Sequence, residues 1–567
     1  MDASPPFELK TWKLGALPVV QRIFDRLRLD HLLTCYLPAR DPRCLLSPVV
    51  TLGVVLRNLV LGRRPLYGLE EWTKPYDPGL LGLPDDGIGL LNDDRVGRVL
   101  DQLFDADRAS LMTAIVVQAV AEFGIELDQF HNDSTSITFS GDYSQATGRK
   151  IRGKQAVRIT HGHNKDHRPD LKQLLWILTV SADGAVPVHY RVCDGNTNDD
   201  PTHIETWEAL RKLAGRADFI YVADCKLCSR ENMDHIASNH GRFITVLPRS
   251  RKEDEWFREH IQDHDLPWEE VIRRPNPRGL TNTEDVWRVV ESPLPSAEGY
   301  RIVWLFSLRK AERDLQARTA ALRKSFDAVD ALNRRLAAKG CRIRKRAAVD
   351  EAVQTILDET NTNRWVDVEV LEHATQTFKQ QGPGRPGLNT RYVRTDRLHF
   401  SLVWKPKADI IAYDARSDGM WPLITNAKDL SLAEVLDKYQ YQPRLEKRHE
   451  QLKTVYLVAP ALLKNEGRIE ALLLLYFVTL LVQALIEREV RRGMKAEGLE
   501  TLPLYPEERD CRAPTAQRIL EVFDSIQRHE LLQGGVTRQR FDPGLSPLQR
   551  ELLRLLGVPP AIYPGNE

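Results

Sequence analysis

The chain has 567 residues, roughly twice the length at which a single hydrophobic core stops growing, so more than one structural unit is expected. Hydrophobic residues make up 42% and charged residues 28%, which is typical of folded globular proteins and excludes wholesale disorder. The 80 basic and 79 acidic residues nearly cancel, so net charge neither indicates nor excludes a polyanionic partner.

Seven scattered cysteines and the lack of a cationic stretch leading into an apolar run at the N-terminus predict a reducing, cytoplasmic compartment. The apolar run at residues 471–486 is shorter than the about 20 residues that a membrane span needs. Gln483 also interrupts it, and charged residues flank it on both sides. We therefore expect a core helix here and no membrane partner.

The first part of the chain, residues 1–123, is predicted to be a helical region. Apolar residues recur there at helical spacing, and Pro and Gly separate the runs.

From residue 124 to residue 250 the pattern changes to short strand-like runs. They lie at residues 127–139, 173–180, 188–193, 219–224 and 243–247, with helical patterns at residues 203–213 and 229–240. Three strands, a helix, a strand, a helix and a strand is the order of an RNase H-like α/β core. Because residues 219–222 are apolar on both faces, we expect a mixed sheet that is covered by helices on both sides.

Residues 251–418 are predicted to form an insertion domain within this core. It contains a long charged helix at residues 309–338 and a Gly/Pro loop at residues 382–387. The second part of the core is expected at residues 419–497. A helical C-terminal tail follows at residues 498–567, with helical segments at residues 515–532 and 545–556.

Two aspartates lie on the predicted strands of the core. Period-two alternation places Asp133 on one face of its strand, and Asp224 ends an apolar strand. A buried acid is costly unless a cation pairs with it, and two acids on neighbouring strands also repel each other. A divalent cation would remove both costs, although each aspartate alone is equally typical of a strand-end turn.

A third acid lies at the start of a helix in the second part of the core. Glu446, His449 and Lys453 share one helix face through three- and four-residue steps. Together with Tyr439, they resemble the third-acid motif of the transposases of insertion-sequence family four. Gln442 stands where that family has an arginine and Arg444 is out of step, which is similar to the subgroup named insertion sequence sixteen-thirty-four.

The resemblance implies a DDE transposase, which cuts DNA at the ends of its element and joins them to target DNA. Asp133, Asp224 and Glu446 would then bind two divalent ions, Mg²⁺ or Mn²⁺, because carboxylate oxygens suit these hard cations. Asp133 would bridge the two ions. The implied partners are the terminal inverted repeats, target DNA and a second copy of the chain, in the bacterial cytoplasm at the nucleoid.

Further residues are predicted to contact DNA. Tyr439, Gln442, Arg444, His449 and Lys453 would lie near the cut, although a core tyrosine and a solvated helix face are the alternatives for Tyr439 and for His449 and Lys453.

Two more residues are predicted to contact DNA from outside that helix. Trp421 can stack on an unpaired base or pack in a core. Arg385, in the Gly/Pro loop, resembles a minor-groove reader, and an ordinary loop between strands is the alternative.

Two other functions stay open at this point. One is a metal-dependent nuclease with the same core but no joining activity, and the other is a DNA-binding transposase derivative without catalysis. The N-terminal helices are expected to bind element ends or to form a dimer surface.

Overall fold

The computed structural model describes residues 6–38, 45–84, 86–276, 284–338, 340–455 and 463–565. The chain forms two compact units. The first unit combines Met1–Thr245 with Asp437–Glu567, and the second is Val246–Leu436. An insertion within a core was predicted, but the unit boundaries group residues 419–436 with the insertion rather than with the second part of the core.

The N-terminal part of the first unit is mainly helical. Its elements are β1 (Phe7–Lys13), α1 (Leu17–Arg26), α2 (Leu29–Tyr36), α3 (Pro48–Arg57), α4 (Leu69–Thr73), α5 (Asp93–Asp105) and α6 (Arg108–Phe123). Local signals fix the ends of α6, because Asp107 accepts a hydrogen bond from the Ser110 amide and Gly124 has a φ of 60°.

The core of the first unit follows α6. Its elements are β2 (Gln129–Phe139), β3 (Lys150–Ile151), β4 (Lys154–Gln155), β5 (Lys172–Ser181), β6 (Pro187–Cys193), α7 (Thr202–Ala214), β7 (Ile220–Ala223), α8 (Arg230–Ser238) and β8 (Arg242–Val246). Strands lie in the order β6, β5, β2, β7, β8. β5 is antiparallel to both β2 and β6, whereas β7 is parallel to both β2 and β8. This topology confirms the predicted RNase H-like mixed α/β fold.

The second unit contains its own antiparallel strands and helices. Its elements are α9 (Lys252–Asp263), β9 (Glu269–Pro275), β10 (Glu284–Glu291), β11 (Arg301–Ser307), α10 (Leu308–Ala337), α11 (Arg346–Glu359), β12 (Val366–Gln380), β13 (Tyr392–Pro406), α12 (Ala408–Ala415), β14 (Met420–Thr425) and the start of α13 (Leu432–Tyr439). Strands β14, β11, β10 and β9 pair in that order, and β12 pairs only with β13. The predicted long charged helix is α10.

The chain then returns to the first unit. Its elements there are α14 (Gln442–Glu450), a π-helical turn (Gln451–Val455), α15 (Glu466–Ala496), α16 (Ala516–Glu521), β15 (Gln527–Gln533), β16 (Val536–Phe541) and α17 (Pro547–Leu555). Helix α15 is long and apolar enough to cross a membrane, but 94% of its most apolar window is buried inside the protein. It is the predicted core helix.

The tail is not wholly helical, contrary to the sequence prediction. Residues predicted as one helix at 515–532 divide into α16 and β15, and β15 pairs with β1 and β16 in a three-stranded sheet. Gly534 and Gly535 both have positive φ between β15 and β16. Two such residues form the hairpin turn that favours Gly-Gly, and long-range pairing with β1 then overrides the local helical pattern.

Candidate active site

Asp133 and Asp224 lie on adjacent central strands of the core sheet. Asn132 on β2 and Ala223 on β7 are register partners in parallel strands, so the two aspartates occupy the next position on each strand. Asp133 Oδ1 accepts a hydrogen bond of 2.8 Å from the Ser134 amide. Asp224 caps the short turn after β7 and accepts a bond of 3.1 Å from the Lys226 amide.

The surroundings of both aspartates disfavour their charged forms. Burial raises the pKa of Asp133, although the nearby Lys165 ammonium opposes this rise. Burial also raises the pKa of Asp224, and the charge of Asp133 raises it further. The folded protein therefore holds two mutually repelling acids, which is the electrostatic setting that a cation would relieve.

Helix α14 is fixed against β2 by a buried glutamine. Gln442 Oε1 accepts a hydrogen bond of 2.7 Å from His131 Nδ1, and Gln442 Nε2 donates to the Asn132 carbonyl at 3.4 Å. Burial lowers the pKa of His131 to about 4, so this ring is neutral at neutral pH. Gln442 was predicted to contact DNA, but in the structure its amide fastens α14 to the sheet.

A buried ion pair holds the opposite side of α14. Arg448 Nη2 lies 2.9 Å from Glu487 Oε2 of α15, and Arg448 Nε donates to the Ala185 carbonyl at 3.1 Å. Both charged side chains are nearly inaccessible to solvent. Helix α14, which carries Glu446, is thus attached both to the sheet and to α15.

Glu446 and His449 occupy the side of α14 that faces Asp133. Burial raises the pKa of Glu446, and the charge of Asp133 raises it further. His449 Nε2 lies 3.9 Å from Asp133 Oδ2, and burial lowers the pKa of His449 to about 3. A neutral, buried imidazole therefore lies beside the first aspartate.

A lysine and a further aspartate lie close to Asp133. Lys165 Nζ lies 3.8 Å from Asp133 Oδ1 and 3.3 Å from Asp199 Oδ2. It also donates to Ser134 Oγ at 2.6 Å, and that hydroxyl donates to Asp199 at 2.6 Å. The convergence of Lys165 and Asp199 was not predicted. A clue was present, because Lys165 precedes β5, which pairs with β2, and Asp199 follows β6, which pairs with β5.

Three predicted DNA contacts lie around this site in the first unit. Burial raises the pKa of Tyr439 to about 12, and the charge of Glu446 adds to that rise. Lys453 forms an ion pair of 2.5 Å with Asp166. Arg444 lies over the Tyr441 ring at 4.5 Å and lines a cavity of about 740 Å³ on another side of α14.

The remaining two predicted contacts belong to the second unit. Trp421 lies on β14, where its ring packs edge-on against Trp287 at 5.6 Å between centroids. Arg385 lies between β12 and β13, a position that fits both the predicted DNA contact and the loop alternative.

The donor set suits a hard divalent cation. Asp133, Asp224 and Glu446 offer only oxygen ligands, and all three have raised pKa values. Within the described part of the chain, no group of three or more His, Cys, Asp or Glu side chains is already close enough to hold a metal ion. The three carboxylates fit such an ion in charge and chemistry.

Comparisons with known proteins give a match to a family model and matches to solved structures. Residues 9–117 match a family model described as Domain of unknown function (DUF4277). No curated protein matches the chain significantly.

A cryo-EM structure described as piggyBac transposase synaptic complex with hairpin DNA aligns with 51% of this chain and 60% of its own, at 10% identity and a TM-score of 0.29. The chain thus spans less than two thirds of that protein. Strand order, rather than this alignment, establishes the RNase H-like fold.

Proposed function

We propose that this chain is a DNA transposase that cleaves phosphodiester bonds at element ends and transfers the strand to target DNA. The observation that carries the proposal is the meeting of Asp133 and Asp224 on adjacent parallel strands, with Glu446 on a helix fastened to the same strand. The N-terminal family match adds support, since this domain is found in transposase-like proteins.

Asp133, Asp224 and Glu446 are the residues that would hold two Mg²⁺ or Mn²⁺ ions. Such ions, when bound, stabilise both the attacking and the leaving oxygen of an in-line displacement and lower the pKa of the attacking water or hydroxyl. Because the pKa values of the three acids are raised, a bound cation would stabilise their charged forms more than it would stabilise solvated carboxylates.

The neighbouring residues would orient the acids and the DNA strand. Lys165 holds Asp133 and Asp199 from one side, and the neutral His449 limits water at Asp133 from the other. Lys453, which pairs with Asp166, would exchange that contact for a DNA phosphate.

The experiment is cleavage of a duplex that carries the flanking ends of this protein's own gene, in Mn²⁺ and in Mg²⁺. Wild-type protein is expected to cut at the element ends, whereas Asp224→Asn is expected to bind the same duplex without cutting it. Cleavage by Asp224→Asn at the wild-type rate would refute the assignment.

A strand-transfer assay on pre-cut ends separates the transposase from a nuclease. We expect pre-cut ends to be joined covalently to a supercoiled plasmid, and hydrolysis without joined product would instead indicate the nuclease. Binding with no reaction in either metal would indicate the non-catalytic derivative.

A further inference from the structure

Strands β12 and β13 form a two-stranded ribbon of which only the base is packed. At the base, Val366, Val370, Phe400 and Leu402 lie in a hydrophobic cluster with α10 and α11. From residue 371 to residue 401, which we name the arm, most side chains are exposed. The arm's paired part covers nine residue steps, so it is about 30 Å long.

Register divides the charges of the arm between its two faces. Residues directly opposite each other share a face, and successive residues alternate. One face, which we name the cationic face, carries these five pairs: Leu371 with Ser401, His373 with His399, Thr375 with Arg397, Thr377 with Thr395, and Lys379 with Val393. It contains no Asp or Glu anywhere along the arm.

The opposite face has a different character. It continues the face that packs on the helices, and it carries both acids of the arm, Glu372 and Asp396. Its cation, Arg394, donates to Asp396 at 2.8 Å. Phe378 is also on this face and is 62% exposed. Both acids of the arm thus lie on one face of the ribbon, whereas Lys379 and Arg397 lie on the other.

The cationic face has the chemistry and the size for duplex DNA. Arginine, lysine and threonine are the usual donors to phosphate oxygens. A two-stranded ribbon fits the major groove of B-DNA, and an arm of about 30 Å approaches one helical turn of about 34 Å. Arg385 and Arg391 extend the cationic character into the turn at the end of the ribbon.

We propose that the arm binds duplex DNA with its cationic face on the sugar-phosphate backbone, over about one helical turn. This inference rests on the proposed function only in taking DNA as the partner. It does not involve the three acids, so binding and cleavage can be measured separately.

The test compares two arginines that lie three residues apart on opposite faces. Affinity for a fluorescent duplex of mixed sequence is measured by anisotropy over a range of salt concentrations, without divalent metal. Arg397→Ala is expected to reduce the slope of log affinity against log salt by about 0.9, and Lys379→Ala with Arg397→Ala by about 1.8. Arg394→Ala, the matched control, is expected to leave the slope unchanged.

The possible results distinguish this inference from the proposed function. Equal slopes for Arg397→Ala and Arg394→Ala would overturn the face assignment, even if the wild type cuts DNA. A change in self-association of Arg397→Ala with an unchanged slope would overturn the inference in favour of a protein partner. Wild-type protein that binds with the predicted slopes but never cuts would contradict the proposed function alone.

Discussion

At the residue scale, Asp133, Asp224 and Glu446 are acids whose pKa values burial raises. The folded chain therefore binds protons more tightly at these sites than the unfolded chain does. Their favourable contribution to stability is present below the unfolded pKa of about 4 and is lost as pH rises through the raised folded value. Without divalent metal, the site thus opposes folding at neutral pH.

Asp224→Asn should raise the melting temperature of the metal-free protein at neutral pH, because it removes one charge from this repelling set. The gain should shrink as pH falls through the raised folded pKa and disappear below about 4, where the wild-type carboxyl is protonated even when the chain is unfolded. Thermal unfolding followed by circular dichroism between these pH values checks both effects.

Asp170→Asn is the matched control for that measurement. Asp170 is exposed and hydrogen-bonded to Arg168, which lowers its pKa, so its removal should not stabilise the protein at neutral pH. Equal gains from both variants would contradict the repulsion between the site acids.

Glu446→Gln should reduce cleavage by more than about a hundredfold. Removing a residue that only hydrogen-bonds to a metal ligand typically costs about 10- to 100-fold, and the loss of a ligand itself should exceed this. Affinity for the duplex should stay within a few-fold of wild type, since the amide keeps the size of the side chain. Gel-based cleavage and anisotropy with the same duplex measure the two effects. Glu450→Gln, an exposed acid on the same helix, should keep wild-type cleavage.

Sequence patterns placed the three candidate acids on the observed elements but did not indicate all of their neighbours. Strand alternation and helix steps placed Asp133, Asp224 and Glu446 on the correct elements, since these are local periodicities. Lys165 and Asp199 meet Asp133 only because β5 and β6 pair beside β2, and such long-range pairing leaves no fixed spacing in the sequence.

At the element scale, α14 owes its position to two buried attachments, Gln442 with His131 and Arg448 with Glu487. Arg448→Ala should destabilise the protein by about 1 to 3 kcal/mol, because the buried Glu487 loses its closer cation and keeps only Arg491 at 3.6 Å and the Ala516 amide. Cleavage should also fall, since α14 carries Glu446. Lys447→Ala removes an exposed neighbouring charge and should change stability by less than about 0.5 kcal/mol.

Urea unfolding of these two variants gives the free energy of unfolding directly. Similar values for Arg448→Ala and Lys447→Ala would mean that the Arg448–Glu487 pair does not hold the helix.

Elements with strong local signals were predicted well, and those that depend on distant partners were not. The strands of the core and the helix α10 agree with their predicted ranges within a few residues. β15 was predicted as helix because its partners, β1 and β16, include a strand from the other end of the chain. The Gly534 and Gly535 turn was the one local sign of that hairpin.

At the scale of the whole molecule, two units divide the chain, and the candidate site lies wholly in the first. Each unit has its own hydrophobic core. The sequence indicated an insertion from its change in pattern. The sequence did not indicate that β14 belongs to the same unit as the insertion, because this assignment depends on the long-range pairing of β14 with β11.

Leu402→Ala should test the hydrophobic core of the second unit. Its side chain is buried in the cluster of α10, α11 and the ribbon base, so the loss should cost that unit about 2 to 5 kcal/mol. Calorimetry should show a lowered unfolding transition relative to wild type. An unchanged transition would contradict the packing of Leu402 in this cluster.

The most direct test of the central proposal is anomalous diffraction from crystals of this protein grown with Mn²⁺ and end DNA. The two-metal proposal predicts two manganese peaks about 3.5 to 4 Å apart, ligated by Asp133, Asp224 and Glu446. The absence of manganese from this site, or manganese bound there without Glu446 as a ligand, would contradict the proposal.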